Sequence, residues 1–229
     1  MRALAWAVIA LALAAGPVAA QEGPLDEPTE KLSLKPHRIK GQLLGYGYTL
    51  GEFTGEVRST ASSVRAPTYS SDKAKTTFTF SSPRHPQVTV RCAGGQSHRQ
   101  LAWIQFNTKD LAYVCEFEGG PPDAAFALAL SDGSVMQRLY QPQRAAELTF
   151  GAVTLRAETR HVKGALPFSG GAPVSYRISR EDGRGIAAML RGALRPTFHL
   201  PPEGAPERDA AALMALALFF FVDPGLEEY

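Results

Sequence analysis

A chain of 229 residues with 24 basic and 22 acidic side chains, net charge +2, gives no electrostatic argument for binding nucleic acid, which is not expected as a partner. The length suits one domain, most readily an all-β barrel or sandwich, and is sufficient to bury a substantial core.

Met1 and Arg2 supply a short positive start, Ala3 to Ala15 are apolar, and Gly16-Pro17 precede the small residues Val18, Ala19 and Ala20. This pattern predicts a signal peptide over residues 1–20, cut between Ala20 and Gln21, and hence an exported, periplasmic or extracellular protein. Gln21 stands where a lipoprotein would carry Cys, which argues against lipid modification. Residues 21–40 are polar and Pro-containing and are expected to be a mobile leader. A single β-rich domain is expected over residues 41–229.

Gly41, Gly45, Gly47, Gly51 and Gly55 alternate with Tyr46, Tyr48 and Phe53. No phosphate-loop motif is present, so strands with tight turns are expected. Ser59 to Lys75, rich in Ser, Thr and Lys, reads as a surface loop. Strand patterns then dominate. Val88, Val90 and Cys92 alternate with polar residues, and Leu101–Phe106 and Leu111–Phe117 flank a turn at residues 107–110. Phe126 to Leu130 turns at Ser131-Asp132-Gly133 into Val135 to Tyr140. Val153, Leu155 and Ala157 are expected inward, with Thr154, Arg156, Glu158 and Arg160 outward. Tyr176 and Ile178 lead through Asp182-Gly183, a hairpin signal, to Ile186–Leu190.

Cys92 and Cys115 form an even pair in an exported chain and are expected to be bonded, with buried free thiols as the competing reading. If residues 88–117 were a three-strand meander, the two would sit on its outer strands, beyond bonding distance. The disulfide therefore predicts curvature, a bulge or a different strand order.

The run ERDAAALMALALFFFVDP from Glu207 to Pro224 predicts a helix over about 207–222 that has no polar face. Pro206 suits its first turn, Glu207 and Asp209 its positive end, and Pro224 its stop. Thirteen apolar residues, Ala210 to Val222, are few for spanning a bilayer, which takes roughly 20. Enclosure within the protein is expected, with insertion in a membrane as the alternative. The predicted fold is mainly β: an antiparallel barrel of many short strands enclosing one hydrophobic C-terminal α-helix.

Asp-Gly hairpins followed by that terminal helix resemble the tubby C-terminal-like group, in the layout of its phospholipid scramblase-like and LURP-one-like branch. The resemblance covers roughly Ser175 to Asp223, and more loosely Phe126 to Thr159. It implies a closed barrel of about twelve strands threaded by the helix. Members include phosphoinositide binders and proteins named for lipid scrambling. This chain differs in its export signal and disulfide, and has no Lys/Arg cluster placed for an inositol phosphate. The resemblance thus implies a fold and no binding residues.

Catalytic signals are sparse. His37, His85, His98, His161 and His199 show no zinc-site spacing, and Ser97-His98 lacks a nucleophile elbow. Trp103 suits a barrel wall. Glu52 and Glu56 are expected together on a solvated strand face. No catalytic, metal or cofactor site is assigned. Lys31, Lys35, His37, Arg38 and Lys40 form a basic cluster, diluted by Asp26, Glu27 and Glu30, and Lys31, Lys35, Arg38 and Lys40 are the candidate membrane contacts. The expected function is an exported, non-catalytic envelope protein that binds lipid, a membrane surface or an envelope protein. The alternatives are an assembly subunit of an envelope complex and an enzyme using scattered residues such as His98, Glu116 and His161.

Overall fold

The computed structural model describes residues 25–40, 45–66, 69–94, 111–130, 144–161, 174–191 and 196–221. Its first strands are β1 (Glu30–Ser33), β2 (Lys35–His37), β3 (Tyr46–Leu50), β4 (Phe53–Ala66) and β5 (Tyr69–Phe80). Then come β6 (Val88–Gly94), β7 (Leu111–Glu118), β8 (Ala125–Leu130) and β9 (Arg144–Phe150). β10 (Val153–His161), β11 (Val174–Arg180), β12 (Gly185–Arg191), β13 (Pro196–Leu200) and the helix α1 (Arg208–Phe220) complete the chain.

From β3 to β13 each strand pairs antiparallel with the next, while β1 joins β13 and β2 joins β3. Only Leu34 separates β1 from β2, so the chain steps from one edge of the sheet to the other and nearly closes a barrel. Residues 30–37 therefore belong to the barrel wall, not to a mobile leader. Their period explains this: Leu32 and Leu34 pack toward the core, and Lys31, Ser33 and Lys35 stay exposed.

Alternation builds the wall throughout. In β9, Arg144, Ala146, Leu148 and Phe150 are buried between half-buried neighbours. In β10, Leu155 and Ala157 face inward while Arg156 and Glu158 are exposed, and Arg156 reaches Glu147 across the strand pair at 3.0 Å. At the β11–β12 hairpin Gly183 takes φ +84, a conformation L side chains rarely adopt, so Asp182-Gly183 makes the turn as expected. Gly55 matters through close approach: a Cβ there would lie 1.9 Å from the Thr79 carbonyl oxygen, to which the Tyr48 hydroxyl donates at 2.7 Å.

Ser59 to Lys75 is not a loop. It forms most of a long β4–β5 hairpin whose register runs from Val57↔Phe78 to Ala66↔Tyr69. Its Ser/Thr/Lys composition imitates a loop, but backbone pairing depends on the ladder, and Thr suits a strand.

β6 pairs directly with β7, which sets Cys92 opposite Cys115 with Cα atoms 4.0 Å apart and the sulfurs bonded. Strand order thus reconciles the disulfide with the strands around it. The predicted strand Leu101–Phe106 and Trp103 lie outside the described residues, as do Asp132-Gly133 and Val135–Tyr140. Both cysteines are buried in the core. Replacing both by Ala is expected to lower stability by about 3 kcal/mol, for a sequence separation of 23 in the chain-entropy account. Urea titration of oxidised protein against the double variant measures this; coincident midpoints would refute it.

The helix fills the lumen. Ala210 to Leu218 are each at most 2 % exposed, so no face meets solvent. Its five alanines keep it thin enough for strands to close around it. Phe220 meets Tyr48 and Phe78 with ring centroids 5.3 and 5.2 Å away, and Phe219 meets Phe198 at 5.7 Å. The helix ends at Phe220, because Phe221 turns extended and sets its ring 4.8 Å from Tyr113 and 4.9 Å from the Arg144 guanidinium. Arg144, buried on β9, brings positive charge to a C-terminus whose last turn has no basic residue. Among the described residues no helix is long and apolar enough to cross a membrane.

Candidate functional site

At the end where α1 begins, turns at residues 51–52, 151–152 and 181–184 join strands tightly. Among the described residues, the ion pairs of Arg84, Arg180 and Arg208 gather at this end of the barrel.

Arg208 is the centre of that cluster. It is 3 % exposed, donates to both carboxylate oxygens of Glu52 and to the Pro201 carbonyl, and pairs with Glu30 at 2.8 Å. The Glu52 hydrogen bond, followed by burial acting the other way, raises the Arg208 pKa. The same bond to Arg208 holds Glu52 below the usual carboxylate range. Beside it, Asp209 accepts from Ser82 Oγ at 2.8 Å and from Arg84 through Nε and Nη2 at 3.2 and 2.9 Å. Glu207 makes no side-chain cap, so Asp209 in the first turn supplies the acidic charge favoured there.

The end of the supposed leader docks onto this cluster. Asp26 accepts from the Gly185 backbone N–H at 2.6 Å and pairs with Arg177. Glu27 binds Arg180, which also donates to Glu207 at 2.8 Å, and these two carboxylates raise the Arg180 pKa. The Gly185 N–H first, then Arg177, holds the Asp26 carboxyl below its ordinary value, against the effect of burial.

Both Asp26 and Glu52 have native pKa values below their unfolded ones of about 4. Their contribution is therefore complete above that value and is lost as pH falls through the lower native values. Stability measured by urea titration is expected to fall as pH drops below about 4, and less steeply in an Asp26→Asn, Glu52→Gln variant. Equal slopes in the two proteins would sink this assignment.

A small cleft lies beside the helix start, about 200 Å³ in volume, lined by Arg84, His85, Phe150, Pro206, Asp209 and Ala210 among others. Ser82, His85 and Asp209 meet beside it without forming a nucleophilic triad. The carboxylate lies between the other two: Ser82 donates to it, while His85 Nε2 is 3.9 Å from it and the His85 backbone N–H donates to Ser82 Oγ. No base is placed on the serine, so the geometry caps a helix. The volume is below that of a typical small-molecule pocket.

The sequence-predicted residues separate clearly. Glu116 is exposed on the outer face of β7, His161 ends β10, and His98 lies outside the described residues. Glu52 and Glu56 do not share a solvated face, because Glu52 precedes β4 in a turn that brings it to Arg208, while Glu56 is exposed on β4. Among the described residues no three His, Cys, Asp or Glu side chains converge as metal ligands.

Lys31 and Lys35 are exposed on the strands that close the barrel, and Arg38 and Lys40 are exposed just after β2. None takes part in an ion pair among the described residues, whereas Asp26, Glu27 and Glu30, their apparent diluents, all engage arginines. Sequence reasoning missed Arg177, Arg180 and Arg208 as partners. The only signal was an acid-rich segment ahead of a chain with arginines far downstream. No family model, curated protein or solved structure matches this chain.

Proposed function

We propose that this chain is an exported, non-catalytic barrel that docks reversibly on an anionic membrane surface through the outside of its closing seam. The observation that carries this reading is the run of exposed cations Lys31, Lys35, Arg38 and Lys40, set beside acids that are already paired to arginines. The lumen is filled by α1, which favours the outer face as the binding surface. Export rests on the pattern of Met1 to Ala20, and the buried disulfide is compatible with it. Membership of the tubby-like group is proposed on the enclosed terminal helix and the hairpin layout.

Each basic residue near an acidic surface contributes about 1 kcal/mol, so four give about 4 kcal/mol, a millimolar and salt-sensitive attraction. Sedimentation with phosphatidylglycerol-containing vesicles is expected to carry the protein down at low salt. Pure phosphatidylcholine vesicles, or a variant with Lys31, Lys35, Arg38 and Lys40 all changed to Ala, are expected to leave it in solution. Equal recovery with both lipids, or with the quadruple variant, would overturn the proposal. A second reading, an assembly subunit, draws on the β4–β5 hairpin, whose ladder runs on to Ala66↔Tyr69 past the last β3–β4 pair at Tyr46↔Val57.

A further inference from the structure

We infer that residues 25–37 are an exchangeable closing strand, which a second copy of this chain supplies in trans to form a strand-swapped dimer. The segment is lightly held for a piece of barrel wall. β1 makes four register pairs with β13, and β2 three with β3. Only Leu32 and Leu34 pack against the core, each partly buried. The rest of its hold is three ion pairs, Asp26 on Arg177, Glu27 on Arg180 and Glu30 on Arg208, and two hydrogen bonds between Asp26 and the Gly185 backbone.

Each of those arginines keeps another partner when the segment leaves. Arg208 retains both oxygens of Glu52 and the Pro201 carbonyl. Arg180 retains Glu207 at 2.8 Å, and Arg177 the Gly183 carbonyl at 3.4 Å. Departure therefore strands no buried charge, the event that makes breaking a buried ion pair costly. What departure does leave is two open strand edges, β13 and β3, which recruit another strand.

The occupant is set by complementarity. Asp26, Glu27 and Glu30 are spaced for Arg177, Arg180 and Arg208, in a register running Glu30↔Leu200 to Ser33↔Thr197. A second copy offers that same segment, which ends at His37, with β3 beginning at Tyr46. Reciprocal exchange of one element closes a two-fold dimer without new contacts. The segment's tether favours the monomer in dilute solution, so exchange grows with protein concentration. High salt, which shortens screening to about 3 Å at 1 M, weakens the acid–arginine hold and promotes it.

Lys31 and His199 are direct register partners on the outer side of the wall, which makes them reporters. A Lys31→Cys chain and a size-tagged His199→Cys chain would be mixed at high concentration and high salt, then oxidised. The native cysteines are bonded to each other and buried. We expect a disulfide heterodimer several-fold more abundant than with a Thr154→Cys partner, whose thiol lies on distant β10, and less of it at low salt. Yields equal to that control would overturn the inference. So would labelling of His199→Cys by a synthetic 25–37 peptide carrying Cys at position 31 when the intact chain gives none, since the site would then take peptides and not a second copy. The double variant Lys31→Cys, His199→Cys must close internally in dilute solution; failure to do so would refute the register itself.

Discussion

Leu216→Ala is expected to destabilise the protein by about 2–5 kcal/mol, the range for a large-to-small change at a fully enclosed site. Leu216 is 0 % exposed on a helix surrounded by strands, so neither solvent nor a mobile neighbour fills the space left. With a urea m-value of about 2 kcal/mol/M, the midpoint should move down by about 1–2.5 M while the slope is unchanged. The reciprocal change, Ala212→Leu, adds volume where the helix is also 0 % exposed, and is expected to cost about 1–3 kcal/mol through overpacking. An α1 lying in lipid would leave the aqueous protein indifferent to both changes. Unmoved midpoints would therefore remove the enclosed helix from the account.

Arg208→Met should cost about 3 kcal/mol, a comparable loss with a different cause. Methionine keeps much of the volume but abandons Glu52, Glu30 and the Pro201 carbonyl together. Glu52 is partly solvated, at 26 % exposed, which tempers the penalty of leaving it alone. Adding Glu52→Leu to Arg208→Met is expected to recover a measurable part of the loss, because the stranded carboxylate is then gone. Strict additivity of the two changes in a double-mutant cycle would show that the pair is not coupled.

The two variants probe different levels of legibility. That residues 210–222 lack a polar face is visible in the sequence, which leaves enclosure in the barrel and insertion in a membrane as its two resting places. Nothing local announces that Arg208, one residue before Asp209 and the apolar run, is itself 3 % exposed. Its burial follows from where the β3–β4 turn and the docked segment 25–30 place Glu52 and Glu30, 156 residues away in sequence for Glu52.

By itself the sequence determined the class of fold: alternating strands, the Asp182-Gly183 hairpin and a terminal helix with no polar face. These rest on period and turn chemistry, which are properties of neighbouring residues. Tertiary structure alone decided which strands are neighbours. It put β6 beside β7 so that Cys92 faces Cys115, and turned the Ser/Thr-rich stretch after Ser59 into a hairpin. It also spent the acids of the supposed leader on Arg177, Arg180 and Arg208 and left Lys31, Lys35, Arg38 and Lys40 exposed. The physical reason is that a charge has no partner until the chain closes, and ladder pairing is a contact between segments distant in sequence. Local pattern fixes which way a side chain points, and closure of the barrel fixes what it meets.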